Sequence, residues 1–164
     1  MERVNSILEF KKTALERGVC DKFSDKLREA KDARDLVTLL LTIQGAEYLF
    51  SAINEGWADN KELAISLLTP FANGKFILFK DGYSSEMNIS LSHQDVEICT
   101  VLCLFMYCDN IRVIVPKGCA VRIMCIKCKN MLIENHSIAY VYNYDKDEPI
   151  KASPSFNPIN NIIV

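Results

Sequence analysis

The chain has 164 residues, 19 basic and 21 acidic, for a formal charge of −2, with 49% of its residues apolar and 24% charged. That balance excludes extended disorder and a strongly basic nucleic-acid-binding surface. The length allows one domain, or two small packed units, with a substantial core. The first residues, Met1-Glu2-Arg3-Val4-Asn5-Ser6, lack the basic region and apolar run of a secretory leader. The longest mostly apolar stretch, Val96 to Tyr107, is too short for a spanning helix and is interrupted by Glu97 and Thr100. Seven cysteines, an odd number, sit mostly in apolar segments, as reduced buried thiols do. A cytoplasmic protein with no membrane partner is expected.

In chain order, Val4, Ile7, Leu8, Phe10 and Leu15 predict a first helix ended by Gly18. Ser24 is the expected cap of a second helix through Lys26, Leu27 and Ala30 to Ala33. Leu36 to Ile43 forms a third apolar stretch, interrupted at Gly45 and continued by Ala46, Leu49, Phe50 and Ile53. Asp59 and Glu62 form a capping box for a helix through Leu63, Ile65 and Leu68, ended by Pro70. The charges between Lys22 and Asp35 mix signs, as on a solvated helix face. Residues 1–74 hold 10 basic and 12 acidic side chains, so no nucleic-acid footprint is expected.

Beyond Gly74 the period changes. Phe76 to Phe79 and Tyr83 to Leu91 flank Asp81-Gly82, a hairpin signal because both turn residues take positive φ. Short apolar runs start at Ile111, Val121, Met131 and Ile138. Their spacing of roughly ten residues predicts a sandwich, a barrel or a stack of β-solenoid rungs. The runs show no shared motif. Residues 149–164 read as a tail, yet Ile159, Ile162, Ile163 and Val164 predict that its end docks, on its own β unit or on a neighbour's strand edge. The expected class is α+β: a helical unit at 1–74, a β unit at 75–148 and a C-terminal segment at 149–164.

The segments Pro70-Phe71-Ala72-Asn73-Gly74-Lys75-Phe76-Ile77 and Lys80-Asp81-Gly82-Tyr83 resemble a family of uncharacterised gut-bacterial proteins. Cys20-Asp21-Lys22-Phe23, Ala30 to Leu36 and Gly56-Trp57 are similar to it as well. The resemblance implies a short helical part followed by a β-rich, solenoid-like part. It implies no activity and assigns no catalytic residue.

Candidate chemistry is sparse. Cys125-Ile126-Lys127-Cys128 has the spacing of half a zinc site, with Cys119 and His136 as conceivable further ligands. In a strand, residues three apart face opposite sides, so core or turn cysteines are the favoured reading. No metal and no cofactor is expected. His93 and His136 lie in turns with no nucleophile or acid at a recognised spacing. No phosphate-loop motif surrounds Asp81-Gly82. Tyr140, Tyr142 and Tyr144 alternate, so in a strand they share one face, either as an exposed aromatic binding row or with one or two of them sealing the end of the β core. Trp57 reads as a packing wedge. The expected function is a non-enzymatic binding or interaction module, its partner a protein or small ligand, with a homodimer by strand addition as one docking outcome. The alternative is a small enzyme or ligand-binding β-barrel with a pocket near His93 or His136 and acids such as Glu97, Asp109 or Glu134.

Overall fold

The computed structural model describes residues 6–63, 76–80, 83–85, 94–97, 102–108, 110–118 and 120–164, with backbone alone at 76–80, 83–85, 94–97 and 111. The protein is α+β, and its chain divides into two compact units between Leu67 and Leu68.

The first unit contains α1 (Ile7–Arg17), α2 (Asp21–Glu29), α3 (Ala33–Leu40) and α4 (Ile43–Asn54). Each boundary has a local cause. Ser6 accepts a hydrogen bond from the Glu9 amide at 3.1 Å, and Gly18 ends α1 at φ 82°, a conformation that costs glycine least. Ser24 is no cap: α2 starts at Asp21, and Ser24 lies buried within it. Asp32 caps α3 through the Asp35 amide at 2.9 Å. The break between α3 and α4 falls at Leu41-Thr42, not at Gly45, because Thr42 Oγ1 accepts from the Gly45 amide at 3.1 Å. Gly45 instead allows a close approach. A Cβ there would lie 2.1 Å from the Leu39 carbonyl oxygen and 2.7 Å from Leu40 Cα.

The next helical turn starts at Lys61, capped by Asn60, whose Oδ1 accepts from the Leu63 amide at 3.0 Å. Asp59 is therefore not the cap, and the remainder of that expected helix lies outside the described residues. Phe10, Phe23, Leu27, Leu36, Leu40, Phe50 and Ile53 fill the core of this unit. Trp57 stacks on Phe10, with ring centroids 5.2 Å apart. On the charged α2, Arg28 pairs with Asp25 at 3.0 Å, both exposed. Such a pair contributes little to stability.

Among the described residues the second unit has ten strands: β1 (Phe76–Lys80), β2 (Tyr83–Ser85), β3 (Gln94–Glu97), β4 (Leu102–Met106), β5 (Ile111–Val115), β6 (Ala120–Ile126), β7 (Leu132–Asn135), β8 (Ile138–Asn143), β9 (Lys151–Ala152) and β10 (Asn160–Ile163). One sheet has the order β10-β8-β6-β4-β1-β2, the other β3-β5-β7-β9. From β3 onward the chain alternates between the sheets, and all neighbours within this series pair in parallel. Register partners such as Arg112 and Leu132, or Leu102 and Arg122, are about twenty residues apart. β1 and β2 are antiparallel, with Lys80 opposite Tyr83. The Asp81-Gly82 connection between them lies outside the described residues.

Alternation along the strands builds the core. Cys103, Phe105, Val113, Val115, Val121, Ile123, Cys125, Ile133, Ala139 and Val141 form one buried cluster drawn from both sheets. Two corners of this unit share a motif that lies between the apolar runs. After β4 come Tyr107-Cys108-Asp109-Asn110; after β6 come Lys127-Cys128-Lys129-Asn130. Tyr107 and Lys127 both take φ 55°, while Asn110 and Asn130 take 56° and 52°. Asparagine tolerates this left-handed region best among non-glycine residues. The corners stack: the Asn110 amide donates to the Lys129 carbonyl at 3.0 Å, and Asn130 Nδ2 donates to Asn110 Oδ1 at 3.1 Å.

That turn also corrects the expectation for Cys125 and Cys128. They do not face opposite sides. The positive φ of Lys127 carries the chain round the corner, and both thiols join the buried cluster.

The last segment is ordered into the sheets. β9 pairs with β7 and β10 with β8, so the terminus lies along its own β unit. No single helix among the described residues is long and apolar enough to cross a membrane.

Candidate functional site

Three places in the described structure gather side chains with chemical potential. The first is the outer face of β6, β8 and β10. Along β8, Ala139, Val141 and Asn143 point into the core, which turns Ile138, Tyr140 and Tyr142 outward. Tyr140 is 47% exposed and Ile138 50%. Tyr142 is half-buried, because the Arg122 guanidinium lies over its ring, 5.0 Å from the centroid. Register places Arg122 and Asn160 on either side of Tyr140, and Met124 and Ile162 on either side of Tyr142. Tyr144 lies past the strand end and is only 6% exposed, so it stands outside this aromatic surface. The result is a two-tyrosine patch with a stacked cation and flanking isoleucines. Such a surface suits a flat partner, since tyrosine supplies apolar area and a hydroxyl at low entropic cost.

The second place is the outer face of β5 and β7. Val113, Val115 and Ile133 point inward, leaving Arg112 and Glu134 outward. The Glu134 carboxylate accepts from the Arg112 guanidinium and contacts His136 Nε2 at 2.7 Å. His136 also rests against the Phe156 ring, with centroids 4.2 Å apart. The hydrogen bond from His136, then that from Arg112, holds the Glu134 carboxyl below its ordinary value of 4.5, against the opposing effect of burial.

The sequence put His136 and Glu134 in the same turn region but gave no sign of Arg112, which comes from the preceding pass of the chain. Of the other residues weighed with them, His93 and Asp109 lie outside the described residues, and Glu97 is described by its backbone alone. Among the described residues, no hydroxyl or thiol is hydrogen-bonded to the His136 ring. The trio is an ion-paired corner. A depressed carboxylate adds stability above its unfolded-state pKa and loses it as pH falls through the folded-state value. Melting temperature should therefore drop as pH falls below about 4.5, and Glu134→Gln should show a shallower drop. Parallel pH profiles for the two proteins in thermal melts would contradict this account.

The third place is a shallow groove of about 450 Å³ in the helical unit, lined by Gly18, Cys20, Phe23, Gln44, Tyr48 and Ser51 among others. Gln44 Nε2 donates to Cys20 Sγ at 3.2 Å, and the Tyr48 hydroxyl reaches the Ala14 carbonyl at 3.5 Å. Burial, then the neighbouring Glu55, pushes the Tyr48 phenol up. A smaller adjoining hollow runs to Trp57, where Arg17 lies 5.2 Å from the ring centroid.

The described cysteines divide by burial. Cys103, Cys108, Cys125 and Cys128 are buried free thiols, and Cys20 is exposed. Cys128 Sγ donates to the carbonyls of Phe105 and Ile126, each at 3.4 Å, and Cys108 Sγ to that of Met106 at 3.4 Å. Burial, then the neighbouring Cys128, pushes the Cys125 thiol well up, which disfavours the thiolate that a metal or a redox partner needs. Among the described residues, no group of three or more His, Cys, Asp or Glu is placed to hold a metal ion. Native protein treated with a maleimide at pH 8 should label Cys20 promptly and these four only on unfolding. Mass spectrometry showing prompt native labelling of Cys125 or Cys128 would overturn the buried assignment.

No protein-family model, curated protein or solved structure matches this chain.

Proposed function

We propose that the chain is a non-enzymatic interaction module of the cytoplasm, in which the β unit winds as a short solenoid and presents the tyrosine patch to a protein partner. The winding is supported by parallel pairing of residues about twenty apart in both sheets. Free, buried thiols support a reducing compartment. The observation that carries the binding role is the exposed pair Tyr140 and Tyr142, framed by Arg122, Ile138 and Ile162 on one face. Tyrosine and arginine concentrate binding energy where a partner excludes water from them.

The test is affinity capture from the native cell with the full chain and with a Tyr140→Ser/Tyr142→Ser variant. A partner retained by the parent and lost by the folded variant supports the reading. Identical recovery, or no partner with either form, overturns it. The rival enzyme or ligand-binding barrel rests on the His136–Glu134 contact alone. The carboxylate in that contact is already shared with Arg112.

A further inference from the structure

The final strand has two properties that do not suit a free edge. The first is an unfinished core. Phe105, Cys125 and Asn143 occupy one inward column, each paired to the next and each buried. Ile163 is the next member of that column, opposite Asn143, yet it is 60% exposed. Ile162 and Val164 beside it are 40% and 43% exposed.

The second, among the described residues, is the absence of edge protection. Sheet edges are normally blunted by charge or by brevity. The neighbouring sheet follows this rule: its edge strand β9 is two residues long and carries Lys151. β10 is longer, and no charged residue occurs anywhere from Ala152 to Val164.

The open hydrogen-bonding groups can be identified. The Val164 amide donates to the Asn143 carbonyl, so alternate residues Asn160 and Ile162 also turn their peptide groups toward β8. The peptide groups of Asn161 and Ile163 therefore face the open edge.

We propose that β10 joins a second copy of this chain across a two-fold axis at Ile162, continuing the six-stranded sheet in antiparallel fashion. Asn161 of one copy lies opposite Ile163 of the other as a hydrogen-bonded pair, and the two Ile162 residues face each other as the closer, non-hydrogen-bonded pair. A second copy fits because this edge is self-complementary. It brings no like charges together, and its amides donate and accept equally. The contact also covers the isoleucines left exposed at the end of the stack. It does not depend on the tyrosine patch having a partner.

Light scattering and sedimentation of the 164-residue chain should give twice the chain mass. Ile163→Lys should halve that mass while leaving the far-ultraviolet circular dichroism unchanged, because the side chain is exposed. Register is tested by mild oxidation in a Cys20→Ser/Cys99→Ser/Cys119→Ser background, which keeps only the buried thiols. Ile162→Cys should yield a disulfide-linked dimer, since Cα atoms in such a pair lie about 4.5 Å apart. Asn161→Cys, offset along the strand from its own copy, should stay unlinked, as should the background protein. A parent that is monomeric at every concentration overturns the proposal. So does a dimer that survives Ile163→Lys, or one that links through Asn161→Cys and not through Ile162→Cys.

Discussion

Gly45→Ala should destabilise the helical unit by about 3 kcal/mol or more, although alanine normally favours a helix over glycine by about 0.5–1 kcal/mol. The sign is decided by the contact. A Cβ at this position would lie 2.1 Å from the Leu39 carbonyl oxygen and 2.9 Å from the Leu39 carbonyl carbon. These are backbone atoms, so no side chain can swing away. Relief requires moving the end of α3 from the start of α4, which strains the Thr42 cap. Against a typical total stability of about 5–15 kcal/mol, such a loss is large. Urea titration followed by Trp57 fluorescence measures it, because Trp57 is buried against Phe10 in the same unit. A midpoint equal to the parent's would show that the two helices have room to part.

Phe105→Ala should cost the β unit about 3–5 kcal/mol, the usual range for emptying a buried aromatic site. Phe105 is fully buried in the cluster shared by both sheets and lies opposite Phe76 on one side and Cys125 on the other. Its neighbours belong to paired strands and cannot collapse into the space without giving up register. Phe105→Leu, which keeps most of the volume, should recover the larger part of the loss. Thermal melts of the three proteins, followed by far-ultraviolet circular dichroism, decide the matter. An alanine variant within about 1 kcal/mol of the parent would sink the account.

The sequence was most legible where one local force decides the outcome. Gly18 ends α1 because positive φ suits glycine, and the alternating β grammar follows from a sheet with one face on the core. It was least legible where a distant residue decides. Gly45 reads as a helix breaker until the Leu39 carbonyl is placed against it. Ser24 has the chemistry of a cap, but burial of Phe23 and Leu27 on one face starts α2 earlier. Cys125 and Cys128 count as opposite-facing only while the strand is straight, and the φ of Lys127 is invisible to spacing.

The candidate site divides in the same way. Strand alternation alone put Tyr140 and Tyr142 on one face, and burial of Ala139 and Val141 on the other face decides that it is the outer one. The loss of Tyr144 and the arrival of Arg122 depend on where the strand ends and on which strand lies beside it. The Cys-x-Asn corners were readable all along, as Cys108 and Asn110 against Cys128 and Asn130. The motif lies in the gaps between the apolar runs, not at their starts.

Those corners also bear on how a chain of this kind can change length. Tyr107 and Lys127 hold the same conformation at the same point of successive passes, as do Asn110 and Asn130. Removing or duplicating the segment 107–126 rejoins Met106 to a residue already shaped to follow it. Strand phase is kept, so inward side chains stay inward. An insertion of one residue within β6 would instead turn Ile123 and Cys125 away from the core. Removal or duplication of the whole segment should therefore be tolerated better than a one-residue insertion within β6, a difference that thermal melts of the two variants would show.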